Sequence, residues 1–241
     1  LLKTATETIA GKVEVIVGIS SFGMNAIKEN IDKYKSYNAN SYAVQLPGGW
    51  AAPADPVRYM HEIADAADKP VYLYYLPTVN GISLSKDQFF NIFSHKNIKG
   101  VKNSSNSQRT LKELLLLKRK VDFSLFEGQE WVADTSLAAG CDGALVGMAP
   151  LGGKLFKMIA RAVDDGDLQQ AGEYQSIMID IFDGVYGKAL DSVWSGQKYA
   201  LTLLGIFGSE KTLVPREAAP IRAEVKERIE SCIEQYKDYL V

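Results

Sequence analysis

Six short apolar runs, each followed by a stretch of helical periodicity, constrain this chain more than any other feature. The runs are 13–19 (VEVIVGI), 41–46 (SYAVQL), 71–76 (VYLYYL), 98–102 (IKGVK), 123–126 (FSLF) and 143–147 (GALVG). They have the Val, Ile, Tyr and Phe content and the length of buried strands. Their first residues lie roughly 20 to 30 positions apart, the length of one strand plus one crossover helix. Between them, 25–37 puts Ile27, Ile31 and Tyr34 on one stripe. Leu84 to Asp87 opens a helix containing Phe89, Phe90 and Ile92. Ser107 or Thr110 opens another, with Leu111, Leu114, Leu115 and Leu116 as its apolar face. Such alternation predicts a parallel α/β sheet, doubly wound or closed into a barrel. The even spacing favours the (β/α)8 barrel.

From Leu151 the strands stop. Segments 154–163, 168–182, 192–204 and 217–239 read as helices, with Pro215 breaking the chain before the last. The expected organisation is therefore a barrel portion over 1–150, with the last barrel helix and a C-terminal helical extension of the same domain over 151–241. Only six strands are visible, and the chain opens with Leu1-Leu2-Lys3, which reads as the interior of a helix. An eight-stranded barrel uses roughly 250 residues before any extension. The expectation is an N-terminally incomplete version of a chain of roughly 300 residues, its first two strands missing.

Composition removes several classes of function. Lys and Arg total 27 against 29 Asp and Glu, a formal charge of -2, which is not the basic surface of a nucleic-acid binder. No apolar run approaches the 18 or so residues of a membrane span, and no signal peptide is recognisable. Two cysteines, Cys141 and Cys232, do not make a disulfide scaffold and suit a reducing cytoplasm. His61 and His95 each stand alone within a helical stretch, so no metal site is expected. The segment 147–154 (GMAPLGGK) has the wrong spacing for a phosphate loop and lacks the following hydroxyl.

Two positions carry chemistry. In 98–102, period-two alternation places Ile98, Gly100 and Lys102 on one face. If that face points into a barrel, the Lys102 amine emerges at the carboxyl end, where barrel active sites sit. A desolvated amine deprotonates more easily and then attacks carbonyl carbon. Tyr74, 28 residues earlier, falls near the end of the preceding strand, a lateral neighbour able to shuttle protons. From the residues alone, a solvent-facing Lys and a core Tyr remain open.

Together these segments resemble the dihydrodipicolinate synthase and N-acetylneuraminate lyase family. The segment 71–81 (VYLYYLPTVNG) is similar to its Y-x-x-P-x-x-x-G motif, 98–102 to its G-x-K strand, and the Tyr-to-Lys interval matches. Phe126 to Glu130 and 139–145 (AGCDGAL) resemble two further strands. The resemblance implies a class I pyruvate aldolase or lyase in which Lys102 forms an imine with a 2-keto acid and Tyr74 relays protons. Gly128 and Leu145 would line the keto-acid pocket, and Glu130 would contact the second substrate. It implies no cofactor beyond the imine, a keto acid and an aldehyde as partners, and a homo-oligomer, dimer or tetramer.

Three departures shape the expected substrate. The family's Thr/Ser pair for the keto-acid carboxylate has no counterpart. The synthase's aromatic pair is replaced by Pro47-Gly48-Gly49-Trp50. Val79 stands where the synthase has an Arg for the aldehyde's carboxylate. These favour an aldehyde derived from a sugar acid over dihydrodipicolinate synthesis, the alternative, with a catalytically silent keto-acid-binding relative as the third reading.

Overall fold

The computed structural model describes residues 1–213 and 220–241. It divides into two compact units, Leu1–Glu127 and Gly128–Val241.

The first unit holds five strands: β1 (Ile16–Gly18), β2 (Ser41–Gln45), β3 (Val71–Tyr75), β4 (Ile98–Asn103) and β5 (Ser124–Glu127). Each pairs in parallel with the next in chain order, which a crossover helix between consecutive strands requires. The helices are α1 (Leu2–Ile9), α2 (Met24–Tyr34), α3 (Pro56–Ala66), α4 (Pro77–Asn80), α5 (Lys86–Phe93) and α6 (Gln108–Lys118).

Their starts are written locally. Asp55 caps α3 by accepting the Val57 and Arg58 N–H groups, and Pro56 occupies the first turn, where its missing N–H costs nothing. Ser85 and Gln88 form a capping box on α5. Ser107, rather than Thr110, caps α6. The buried face of α6 is Leu111, Leu114 and Leu117. Leu116, expected on that face, is exposed, because one step along a helix turns a side chain by about 100°.

The register sorts the sheet into two faces. Tyr42, Val44, Val71, Leu73, Tyr75, Val101 and Leu125 share one, and all are buried. The other carries Ala43, Gln45, Tyr72, Tyr74, Lys102 and Phe126, all half-buried. The functional candidates of this unit lie on the second face.

The second unit contains α7 (Ala133–Ala138), β6 (Gly143–Ala144), α8 (Ala149–Asp164), α9 (Leu168–Tyr186), α10 (Val193–Leu203) and α11 (Ala223–Tyr236). Its core joins Leu151, Leu155 and Ile159 of α8 to Met178, Ile181 and Val185 of α9 and Ile229 and Ile233 of α11. The helices expected over 154–163, 168–182 and 192–204 are present. Pro215 and the predicted helix start at Glu217 lie outside the described residues. Among those described, no helix is long and apolar enough to cross a membrane.

The two histidines are not isolated. Folding α3 against α5 brings the His61 and His95 rings to 5.0 Å between centroids, a contact that positions 34 residues apart do not announce. His95 Nδ1 accepts the Asn97 N–H and its Nε2 faces Asp65 at 3.1 Å.

Candidate active site

Tyr74 and Lys102 are direct cross-strand partners on β3 and β4. Lys102 Nζ lies over the Tyr74 ring, 4.2 Å from its centroid. The ring face is electron-rich, so the pair is a cation–π contact while the amine carries its proton. Phe126 flanks Lys102 from β5. Two residues earlier the strand must be bare. A Cβ on Gly100 would lie 2.4 Å from the Ser124 carbonyl oxygen and 2.7 Å from Tyr72 Cε1. Tyr72 thereby reaches toward Phe126, ring centroids 6.0 Å apart. Burial pushes the Tyr72 phenol above its ordinary pKa, as it does that of Tyr75 on the opposite face.

One expectation about this strand is corrected. Ile98 pairs with Val71, but Gly100 pairs with Tyr72, so Lys99 is an extra residue with no partner on β3. This is a bulge, and alternation cannot run through it. Gly100 and Lys102 share a face; Ile98 lies on the other, with Val71 and Leu73, and is buried.

Toward the adjacent strand ends, the half-buried Gln45 pairs with Tyr74 from β2. Gln45 lines a cavity of about 370 Å³ at the carboxyl ends of β1 and β2. The loop on its rim is fixed by Asn80, whose Nδ2 donates to the Leu46 carbonyl at 3.1 Å and whose Oδ1 accepts the Ile82 N–H at 2.9 Å. Gly48 packs directly on that residue; a Cβ there would sit 2.5 Å from the Asn80 carbonyl oxygen. A larger cavity of about 870 Å³ lies between the starts of α5 and α6 and is lined by Tyr75, Ser105 and Arg109. Neither Lys102 nor Tyr74 lines either cavity, so the size of a cavity does not locate the reactive pair.

The remaining candidates belong to the second unit. Gly128 follows the end of β5 and is half-buried; Leu145 follows β6 and is 37% exposed. Glu130 is buried, and its carboxylate is already engaged. Oε1 accepts the N–H groups of Gly147 at 2.8 Å and Met148 at 3.2 Å, just before α8. Its carbonyl accepts Gln175 Nε2 at 2.9 Å, while Gln197 Nε2 donates to the Gly147 carbonyl at 2.7 Å. The role expected for Glu130, contact with a second substrate's hydroxyls, therefore competes with an internal one. An acid three residues past a strand end reads alike in both roles, and only the fold shows which amides it meets.

The sequence model of the dihydrodipicolinate synthetase family matches residues 1–236. The chain belongs to this family. Among its relatives, the 4-hydroxy-tetrahydrodipicolinate synthase of Kosmotoga olearia is 29% identical over 241 residues, covering 96% of this chain and 79% of that protein. That of Thermosipho africanus is 25% identical over 238 residues, covering 96% and 80%. In fold, the chain is similar to dihydrodipicolinate synthase from Bacteroides thetaiotaomicron, with a TM-score of 0.88 at 20% identity, over 97% of this chain and 79% of that one. It is also similar to N-acetylneuraminate lyase from Mycoplasma synoviae, with a TM-score of 0.82 at 23% identity, over 98% and 77%. The expected fold class, a parallel βα barrel architecture with C-terminal helices, is the one present.

Within the family, the departures noted in the sequence acquire physical content. At Gly48 the contact with the Asn80 backbone leaves no room for a side chain, aromatic or otherwise. Val79 is exposed on the rim of the Gln45 cavity and brings it no charge.

Proposed function

We propose that this chain is a class I aldolase or lyase that joins a 2-keto acid to an aldehyde, or cleaves the product, through an imine on Lys102. The observation that carries the reading is the pairing of Lys102 with Tyr74, amine over ring, on the half-buried face of the sheet. The amine adds to the keto carbon of pyruvate and water leaves as the imine forms. The protonated imine draws electrons, so the methyl carbon gives up a proton and the enamine results. Its carbon attacks the aldehyde carbon, the aldehyde oxygen takes a proton, and water hydrolyses the new imine to free the product and the amine. Tyr74 is the group beside Lys102 suited to carry the protons. The imine is itself the electron sink, so the chemistry asks for no separate cofactor.

Gly128 and Leu145 are assigned to the keto-acid pocket on the resemblance alone. A homodimer or homotetramer working in the cytoplasm completes the reading. Dihydrodipicolinate synthesis itself is the second reading, favoured by the names of the relatives and opposed by Val79 and Gly48. The test is incubation with pyruvate and borohydride, then intact mass and peptide mapping. A reduced pyruvate adduct on Lys102 is expected, lost in Lys102→Ala with the fold retained. Folded protein that forms no adduct would sink the imine mechanism; an adduct surviving Lys102→Ala would move it to another lysine.

A further inference from the structure

We infer that Tyr72 is a positioning residue for Lys102: its ring lies across Gly100 and holds the amine over Tyr74. The chemistry this serves rests on the aldolase reading, whereas the placement of the amine does not.

Four half-buried side chains share the sheet face around the amine. Tyr72 and Tyr74 come from β3, Lys102 from β4 and Phe126 from β5. Tyr72 is level with Gly100 and Ser124, and Tyr74 is level with Lys102 and Phe126. Residues two apart on one strand stand about 7 Å apart on the same face. Whatever fills the space over Gly100 is therefore the nearest neighbour of the Lys102 stem on its amino-terminal side. Glycine leaves that space empty, and Tyr72 fills it from the next strand. Its Cε1 and Cδ1 stand 2.7 and 2.9 Å from where a Gly100 Cβ would be. The ring also approaches Phe126 of β5, with 6.0 Å between centroids and 49° between planes.

The consequence is steric. A lysine stem has several torsions, each with three staggered wells. Tyr74 and Phe126 stand on the two strands that flank Lys102, and Tyr72 blocks the conformers that would fold the stem back along Gly100. The conformers that remain carry Nζ away from Gly100 and onto the Tyr74 ring, 4.2 Å from its centroid. Tyr72 does not duplicate Tyr74 as a proton carrier. Burial and the Glu14 carboxylate push its phenol above the ordinary value, and the hydrogen bond with the Ser124 side chain offsets only part of this. At neutral pH the phenol stays uncharged and supplies shape.

The test has one readout that needs no turnover. In protein carrying 13C-labelled lysine, the Lys102 ε-methylene signal is assigned by its loss in Lys102→Ala. It should stand upfield of the other lysines, because the end of the stem lies over the Tyr74 ring. Tyr72→Ala should return that signal to the position of a free lysine. It should also slow formation of the borohydride-trapped pyruvate adduct about three- to tenfold, the dilution expected when one or two torsions regain their three wells. Tyr72→Phe keeps the ring and should restore both. A tyrosine that merely packs would lower the unfolding temperature and leave both readouts of the folded protein in place. An unmoved signal in Tyr72→Ala would overturn the inference, as would an unchanged rate in a parent that forms the adduct. A loss in Tyr72→Phe equal to that in Tyr72→Ala would overturn it too, since the hydroxyl would then be the active part. If Tyr72→Ala does not fold, Tyr72→Leu takes its place, too short to reach Phe126, and should lose part of the upfield shift and at least half the rate. Loss of the shift alongside a parent that forms no adduct would uphold the placement of the amine and reject only the aldolase reading.

Discussion

Glu130 offers the sharpest energetic test, because its carboxylate meets two backbone amides and not an open cavity. In Glu130→Ala the N–H groups of Gly147 and Met148 lose their shared acceptor at the entry to α8. Hydrogen bonds to a charged acceptor contribute about 1.5 to 3 kcal/mol each. One oxygen accepts both here, so the two are not independent, and a total near 3 kcal/mol is expected. The carboxylate also faces the positive end of the helix, adding about 0.5 kcal/mol. Glu130→Gln keeps an amide oxygen in the same place and should cost about 1 kcal/mol, the difference between a charged and a neutral acceptor. The assay is urea unfolding followed by tryptophan fluorescence, Trp131 being the next residue and packed edge-on against Phe182 at 5.4 Å. If Glu130→Ala unfolds within 0.5 kcal/mol of the parent, the loop holds itself and the carboxylate does not anchor it. If Gln is no better than Ala, the side chain acts by its charge and not as an acceptor.

Two further outcomes follow from close contacts and burial. Gly100→Ala would press a methyl against the Ser124 carbonyl and the Tyr72 ring, so thermal unfolding should show a loss of about 2 to 3 kcal/mol and a lower yield of trapped adduct. Burial, with Asp180 nearby adding to it, pushes the Cys232 thiol up from 9.0 to about 11. The unfolded thiol ionises first on raising the pH, so the folded state holds the extra proton across that interval. Its contribution to stability is whole below pH 9 and is lost as pH rises from 9 toward 11. Unfolding midpoints at pH 8 and 10.5 should differ by more in the parent than in Cys232→Ala; equal differences would mean that the thiol titrates no differently in the two states.

What the sequence disclosed and what it withheld divide by range. Strand identity and helix starts are local, so the β runs were readable from composition, the start of α5 to within 84–87, and that of α6 to Ser107 or Thr110, of which Ser107 is the cap. The pairing of Tyr74 with Lys102 was legible because one βα unit carries a fixed length to the same level of a parallel sheet. The occupation of Glu130 was not, since Gly147 and Gln175 lie 17 and 45 residues away and no local pattern encodes that meeting. The Gln45 cavity was missed for a related reason. Ser20, Gln45 and Val79 come from three separate βα loops or strand ends, each unremarkable alone.

The bulge at Lys99 shows how narrowly the central pair is specified. From Val71 to Tyr74 the chain takes three steps, and from Ile98 to Lys102 it takes four, although both pairs are level across the sheet. In an unbroken ladder starting from Val71 and Ile98, Tyr74 would meet Val101, and Lys102 would stand beside Tyr75 on the fully buried face. An amine there would be packed among apolar side chains, away from the Tyr74 ring. The extra residue changes the parity of β4 between Ile98, which stays in the core, and Lys102, which does not. Lys99 is the residue that a strand can place in such a bulge at little cost, because its side chain is exposed and has a long stem to reach water. The functional face of β4 is thus selected by an unpaired residue three positions before the amine.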